Sequence, residues 1–190
     1  MTPKPPHYLS KSQFTRGMQC LKSLYLYRTK TVPADTITPD LQERFDTGTE
    51  IGVLAQKWIP GGVLIKAAHT DPERALMQTA VAINSGIQVI YEAAFLHEGV
   101  LVRVDILAKG PGGVWDLYEV KSTKDVEDVY ILDAAIQRYV LEGAGLAVGV
   151  THVVHLNPGY VRQGALDLKQ LFVAVDVQKE TSEILPSIQA

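Results

Sequence analysis

The chain has 190 residues, 46% apolar and 21% charged, the balance of a globular protein able to bury a sizeable core. No apolar run is long enough to span a bilayer, and MTPKPPHYLS lacks an apolar signal core, so a cytoplasmic location is the default expectation. A single cysteine, Cys20, excludes an intrachain disulfide and any all-cysteine metal or cluster site within one chain. The net charge of −3 excludes a strongly basic nucleic-acid-coating protein, but the charge is unevenly spread. Residues 1–34 hold Lys4, Lys11, Arg16, Lys22, Arg28 and Lys30 and no acid, so −3 for the chain less +6 for this segment leaves −9 on the rest. Such an arm is either a local seat for a phosphate backbone or a solvated basic helix face.

Length predicts one domain. The expected organisation is a flexible N-terminus over residues 1–9, one domain over 10–178 and a C-terminal tail over 179–190. Ser10 or Ser12 is placed to cap a helix running to about Arg28, with Phe14, Met18, Leu21 and Tyr25 at helical spacing. Residues 29–37 read as a loop. Thr38-Pro39-Asp40 opens a second helix that stops near Trp58, before Ile59-Pro60-Gly61-Gly62. Gly48 and Gly52 inside it cost about 1 kcal/mol each relative to alanine, which predicts a close approach on that face. Residues 63–65 suit a short strand, and Asp71-Pro72 opens a third helix that ends near Ser85-Gly86.

The pattern then changes. Residues 89–95, 100–108 and 114–121 are apolar, β-branched runs joined by short Gly-containing turns, which predicts an antiparallel meander. Leu132, Ala135, Ile136, Tyr139 and Val140 follow at helical spacing, with Gly143 and Gly145 as the stop. Residues 148–156 and 171–177 read as two further strands. The order predicts an α/β fold with a central mixed sheet flanked by helices.

The chemistry is concentrated on the meander. Asp105 stands among apolar neighbours in LVRVDIL, so it faces a cleft or a buried partner. Glu119 and Lys121 in LYEVK alternate onto one face of their strand. A tight hairpin would set Asp105 opposite Val114 or Trp115, about four residues short of Glu119. The two carboxylates are then offset, or a bulge shifts the register. Two carboxylates suit Mg²⁺ or Mn²⁺, the Val120 carbonyl could add a hard oxygen, and a lysine beside the ion can orient water or stabilise charge on phosphate. A Glu-x-Lys pair on a strand is otherwise a solvated or salt-bridged face. None of the five histidines forms a metal-ligand spacing with another, and Gly110–Gly113 opens no helix, so it does not read as a phosphate loop.

Four stretches carry a family resemblance: LSKSQFTRGMQCLKSLYLYR, YEAAF…VLVRVDIL…WDLYEVKS, DAAIQRYVLEGAGL and HVVHLNPGYVRQG…LDLKQLF. From about Leu9 to Val177 the chain resembles the RecB-like branch of the PD-(D/E)XK nuclease superfamily, which includes the CRISPR-associated adaptation exonucleases. Within that branch it looks most like an uncharacterised bacterial domain family. The resemblance implies a restriction-endonuclease-like core and metal-dependent hydrolysis of DNA in repair, recombination or defence. It implies Asp105 and Glu119 as metal ligands, Lys121 as the catalytic lysine and Glu92 as an upstream acid near the metal. Gln137 would contact DNA or position the site. The bland alternatives are a strand-edge charge for Glu92 and a solvent-facing helix residue for Gln137. Lys11, Arg16 and Lys22 on the basic helix would hold the DNA backbone.

The chain departs from the branch at three places. Gln56 stands four residues after Gly52, where the branch often has a histidine ligand. Cys20 is alone where iron–sulfur members have four cysteines, so no iron–sulfur cluster is expected, and Cys20 reads as a buried small hydrophobe. Leu141 follows Gln137 where the branch often has tyrosine, and Tyr139 lies elsewhere on the helix. The reading is an Mg²⁺- or Mn²⁺-dependent nuclease acting on single- or double-stranded DNA. The alternatives are a catalytically weak or inactive nucleic-acid-binding module of the same fold, an assembly domain whose carboxylates merely pair with Lys121, or the nuclease part of a larger protein.

Overall fold

The computed structural model describes residues 8–31 and 38–189, apart from the side chain of Arg44. The Pro-rich start, up to residue 7, and most of the 29–37 loop lie outside the described residues. Leu9–Ser10 forms a short strand, β1. Ser10 then caps helix α1 (Lys11–Gln19) in a reciprocal capping box with Gln13. The helix expected to reach Arg28 is broken at Cys20, whose backbone is extended, and restarts as α2 (Leu21–Thr29). The break puts the second half out of phase with the first. Phe14 packs on the core, whereas Leu21 and Tyr25 remain 78% and 64% exposed. Cys20 is exposed at this corner, not buried as expected.

Helix α3 (Pro39–Trp58) has Thr38 as its cap and proline in its first turn, as the sequence predicts. The close approach expected at its glycines is not there. A Cβ on Gly48 or Gly52 would meet nothing within 4 Å among the described residues. Strand β2 (Val63–Leu64) and helix α4 (Pro72–Asn84, capped by Asp71) follow. The meander is β3 (Val89–His97), β4 (Val100–Lys109) and β5 (Trp115–Val120), with a 3-10 turn over Pro111–Gly113. Helix α5 (Asp128–Gly143) crosses to β6 (Val148–Leu156). A short helix, α6 (Leu168–Leu171), takes the first residue of the last expected strand, which is β7 (Phe172–Asp176). The expected tail is instead largely helical. In α7 (Gln178–Ile188), Thr181 and Ile188 are buried, and Arg138 of α5 donates to Gln178 O and Ser182 Oγ.

The fold is α/β, with a mixed seven-stranded sheet flanked by helices. The strand order is β2-β3-β4-β5-β6-β7, and β1 also pairs with β4. β3, β4 and β5 are antiparallel, while β5 and β6 are parallel across the α5 connection. One face packs on α4 and α5 through Leu107, Leu117, Ile136, Val140 and Leu141, all fully buried. The other packs on α3 through Ala55, Tyr91, Ile106, Val154 and Phe172, with Trp58 against Tyr118. The five apolar positions predicted as the stripe of α5 all join the first cluster. Among the described residues no helix is long and apolar enough to cross a membrane.

Two stability outcomes follow. Leu117→Ala, which removes a wholly buried side chain from a central strand, should lower unfolding free energy by about 2–5 kcal/mol. Gly48→Ala or Gly52→Ala should raise it by up to about 1 kcal/mol each, because no neighbour resists the methyl group. Denaturant titration measures both, and a loss of stability in either alanine variant would mean that the face of α3 is more crowded than described.

Candidate active site

The site forms where one edge of β4 changes partner. β1 pairs with that strand at Val100 and Leu101, and β5 pairs with it from Ile106 to Lys109. Since β3 runs along the opposite edge, residues 102–105 have no strand beside them here among the described residues. The register brings Asp105 to this opening. Trp115 pairs with Lys109, not with Asp105 as a tight hairpin would require, because the connection carries the 3-10 turn. One step beyond the Ile106–Tyr118 pair, Asp105 stands beside Glu119. Its Oδ2 accepts the Val120 N–H at 2.7 Å, so a side chain replaces a missing ladder bond at the end of β5.

The neighbouring strand is distorted at the same level. Tyr91 and Ile106 pack on the α3 side, yet Ala93 and Val104, two residues along each strand, pack on the other side. Residues two apart face the same way in a regular strand, so the pleat inverts at the Glu92–Asp105 level. Glu92 takes a left-handed φ of 57°, an unfavourable conformation for a residue with a side chain. Its carboxylate faces the Arg103 guanidinium, 3.8 Å away, and does not join Glu119. Burial raises its pKa against the pull of Arg103.

Glu119 is the centre of the cluster and is only 3% exposed. Lys121, on the same face as the alternation predicts, places Nζ 2.8 Å from Glu119 Oε1 and 2.7 Å from Asp133 Oδ2. Lys11, the first residue of α1, donates to the same Glu119 oxygen at 2.6 Å. Gln137 of α5 donates to Glu119 Oε2 and, at 3.3 Å, to the Asp133 carbonyl. Gln137 is fully buried, so the solvent-facing alternative is overturned and so is direct reach to DNA. It holds Glu119 in place. Among the described residues its Oε1 has no hydrogen-bond partner.

Asp133 is the residue that sequence reading missed. It holds Lys121 and accepts from Thr15 Oγ1 at 3.4 Å, so α1, α5 and the residue that follows β5 meet on one carboxylate. The available signal was its i, i+4 spacing from Gln137, which sets both on one helix face. Other expected residues lie elsewhere. Gln56 belongs to α3, on the opposite face of the sheet, where its backbone carbonyl accepts from Tyr91. Tyr139 donates to Glu98 and packs on His97, at the β3–β4 turn. Arg16 is exposed and donates to Ser23 Oγ at 2.9 Å, and Lys22 is exposed on α2. Lys11, Ser12, Thr15, Arg16 and Asp133 line an open cavity of about 320 Å³ beside the cluster.

The two adjacent carboxylates are driven apart in acidity. Desolvation, and then the Glu119 charge, push Asp105 from an ordinary 3.8 up to about 8. Burial would also raise Glu119, but Lys11 and Lys121 override it and hold it at about 2. For both lysines, burial opposes the charge, and Glu119 and Asp133 more than offset it, so each stays protonated above its usual range. The donor set suits a hard dication in kind. Asp105 and Glu119 are side by side, the Gln137 carbonyl oxygen is unengaged, and Mg²⁺ commonly takes only one or two carboxylates with water and phosphate completing its shell. Among the described residues no three His, Cys, Asp or Glu side chains are gathered for a metal, so protein carboxylates alone do not form a closed cage.

No known family model matches the chain, and no curated protein matches it in sequence. Among solved structures it is similar to an alkaline exonuclease from Laribacter hongkongensis, at 14% identity and a TM-score of 0.47, over 96% of this chain and 88% of that one. The same enzyme in complex with dAMP gives 12% identity and a TM-score of 0.43 over the same shares. A crystal structure of SSO0001 gives 10% and 0.39, over 98% of this chain and 79% of that one. These are likenesses of general shape, and the chemistry rests on the side chains described above.

The raised pKa of Asp105 has a measurable consequence. A carboxyl whose folded pKa exceeds its unfolded value contributes stability that is complete below the unfolded pKa. That contribution is lost as pH rises through the folded value. In chelator, the native chain should therefore lose thermal stability relative to Asp105→Asn between about pH 4 and pH 8. The Glu119 contribution runs the other way and is lost only as pH falls towards 2. Parallel melting curves for the two proteins across this range would show the divergence, and curves that stay parallel would exclude a protonated Asp105.

Proposed function

We propose that the chain is a divalent-metal-dependent nuclease that hydrolyses DNA phosphodiester bonds, with Asp105, Glu119 and Lys121 as its catalytic centre. The observation that carries this reading is the Asp105–Glu119 pair. Two carboxylates are held side by side at a break in the sheet edge, with two ammonium groups on one of them, beside an open cavity. Here α1, α5 and β5 all contribute to fixing Glu119.

Asp105 and Glu119 would hold Mg²⁺ or Mn²⁺, with the Val120 carbonyl as a further hard oxygen. Such an ion, when bound, lowers the pKa of water and neutralises charge on phosphate oxygens. The Val120 N–H fixes one Asp105 oxygen and leaves the other to serve as a ligand. Gln137 keeps the Glu119 carboxylate in one orientation. Lys121 keeps its proton near neutral pH, which suits it to donate a hydrogen bond to developing negative charge and not to act as a general base. Arg16, at the mouth of the cavity, adds positive charge where a phosphate backbone would approach. Glu92 would act at a distance, through Arg103 and the distorted strand, and not as a ligand.

The test is cleavage of labelled single- and double-stranded DNA in Mn²⁺, with RNA alongside. Cutting by the native protein should fall about 100-fold or more in Asp105→Ala and in Lys121→Ala, and should stop in chelator. Equal cutting by the variants would move the chemistry elsewhere. If nothing is cut, yet DNA binds with a steep salt dependence, the chain is a binding module of this fold.

A further inference from the structure

Lys11 entered as a candidate for holding DNA, yet its ammonium is spent on the carboxylate at the centre of the site. Glu119 Oε1 receives both Lys11, at 2.6 Å, and Lys121, at 2.8 Å, while Oε2 receives Gln137. Two donors on one oxygen occupy the lone pairs that a cation would need. We propose that Lys11 is the built-in counter-cation of the site: it holds Glu119 while no metal is bound, and a divalent ion must displace it to reach that carboxylate. The inference rests on the metal-dependent reading above and adds a competition to it.

The charge count favours displacement. Glu119 and Asp133 carry two negative charges, and Lys11 and Lys121 match them. A dication added to that neutral group would sit beside two ammonium ions, and moving one away relieves the repulsion. The geometry selects which one moves. Lys121 is tied to Asp133 at 2.7 Å and its Nζ lies 4.9 Å from the centre of the Tyr130 ring. Gln137 is wholly buried and held by the Asp133 carbonyl. Lys11 has Asp133 only at 3.8 Å as a second partner. It also lines the cavity shared with Ser12 and Arg16, which gives its four-carbon stem somewhere to swing. There the freed ammonium would meet the phosphates that the carboxylates no longer need it to neutralise. Metal binding and substrate binding would then assist each other, since each gives one member of the Lys11–Glu119 pair a new partner.

The deciding measurement is Mn²⁺ affinity without DNA, read by calorimetry or by the loss of the free-ion paramagnetic signal. Lys11→Met should bind Mn²⁺ about 10–100-fold more tightly than the native chain, and Lys11→Arg should stay near the native value. A second readout uses only the native protein. Saturating Mg²⁺ should speed acylation of Lys11 relative to exposed Lys22, scored by peptide mass spectrometry, and this holds even if Lys11→Met fails to fold. Equal or weaker Mn²⁺ binding by a folded Lys11→Met would overturn the competition while leaving the metal site standing, provided that Glu119→Gln abolishes binding. Unchanged Lys11 labelling in Mg²⁺ by a native chain that does bind the ion would overturn it equally. No Mn²⁺ bound by the native chain or by folded Lys11→Met would remove the competition and the metal-dependent reading together.

Discussion

A carboxylate excluded from water must be matched by charge or hydrogen bonds, and the architecture around Glu119 is arranged to do so. Its side chain is 3% exposed, on the sheet face where Leu117 packs under Ile136 and Val140 of α5. Partners from three places in the chain converge to satisfy it. Lys11 comes from the first helix, Lys121 from the same strand and Gln137 from the crossover helix. Removing one partner from a buried charge cluster costs far more than an exposed ion pair is worth, so these contacts also tie α1 and α5 to the sheet.

The opening in the sheet is the second constraint. A β4 edge fully covered by β5 would leave no room for Asp105 beside Val120, and an edge with no neighbour would invite another chain. Splitting it between β1 and β5 leaves one gap, and α1 starts beside it because Ser10 ends the β1 pairing and caps the helix at once. The left-handed Glu92 and the inverted pleat at Asp105 lie at the same level. Backbone distortion thus coincides with where the chemistry is proposed, and the β3–β4 pairing is regular on either side of it.

The result is a site with opposed protonation preferences. One carboxylate is pushed towards its neutral form and its neighbour is held as an anion, with two lysines locked as cations. That balance suits the cation binding proposed above, because each of these groups would change its environment when positive charge arrives.

Much of this was legible in the sequence. Strand alternation alone put Glu119 and Lys121 on one face, the apolar spacing of α5 gave its buried stripe, and Thr38-Pro39 and Asp71-Pro72 marked helix starts, because these signals are local. Other features needed the tertiary structure. The pairing of Asp105 with Glu119 depended on how many residues the β4–β5 connection consumed, and a 3-10 turn is invisible to periodicity. The break at Cys20 left no Gly or Pro in the sequence, and the helix at 178–188 read as a tail because its stability comes from packing on α5 and not from its own propensity. Lys11 could not be assigned to Glu119, nor Asp133 to Lys121, from spacing, since which helix residues reach the strand is set by where the helices dock. The sequence determined which side chains could do chemistry. The folded chain decided which of them meet, because a buried charge is stable only where distant segments bring it partners.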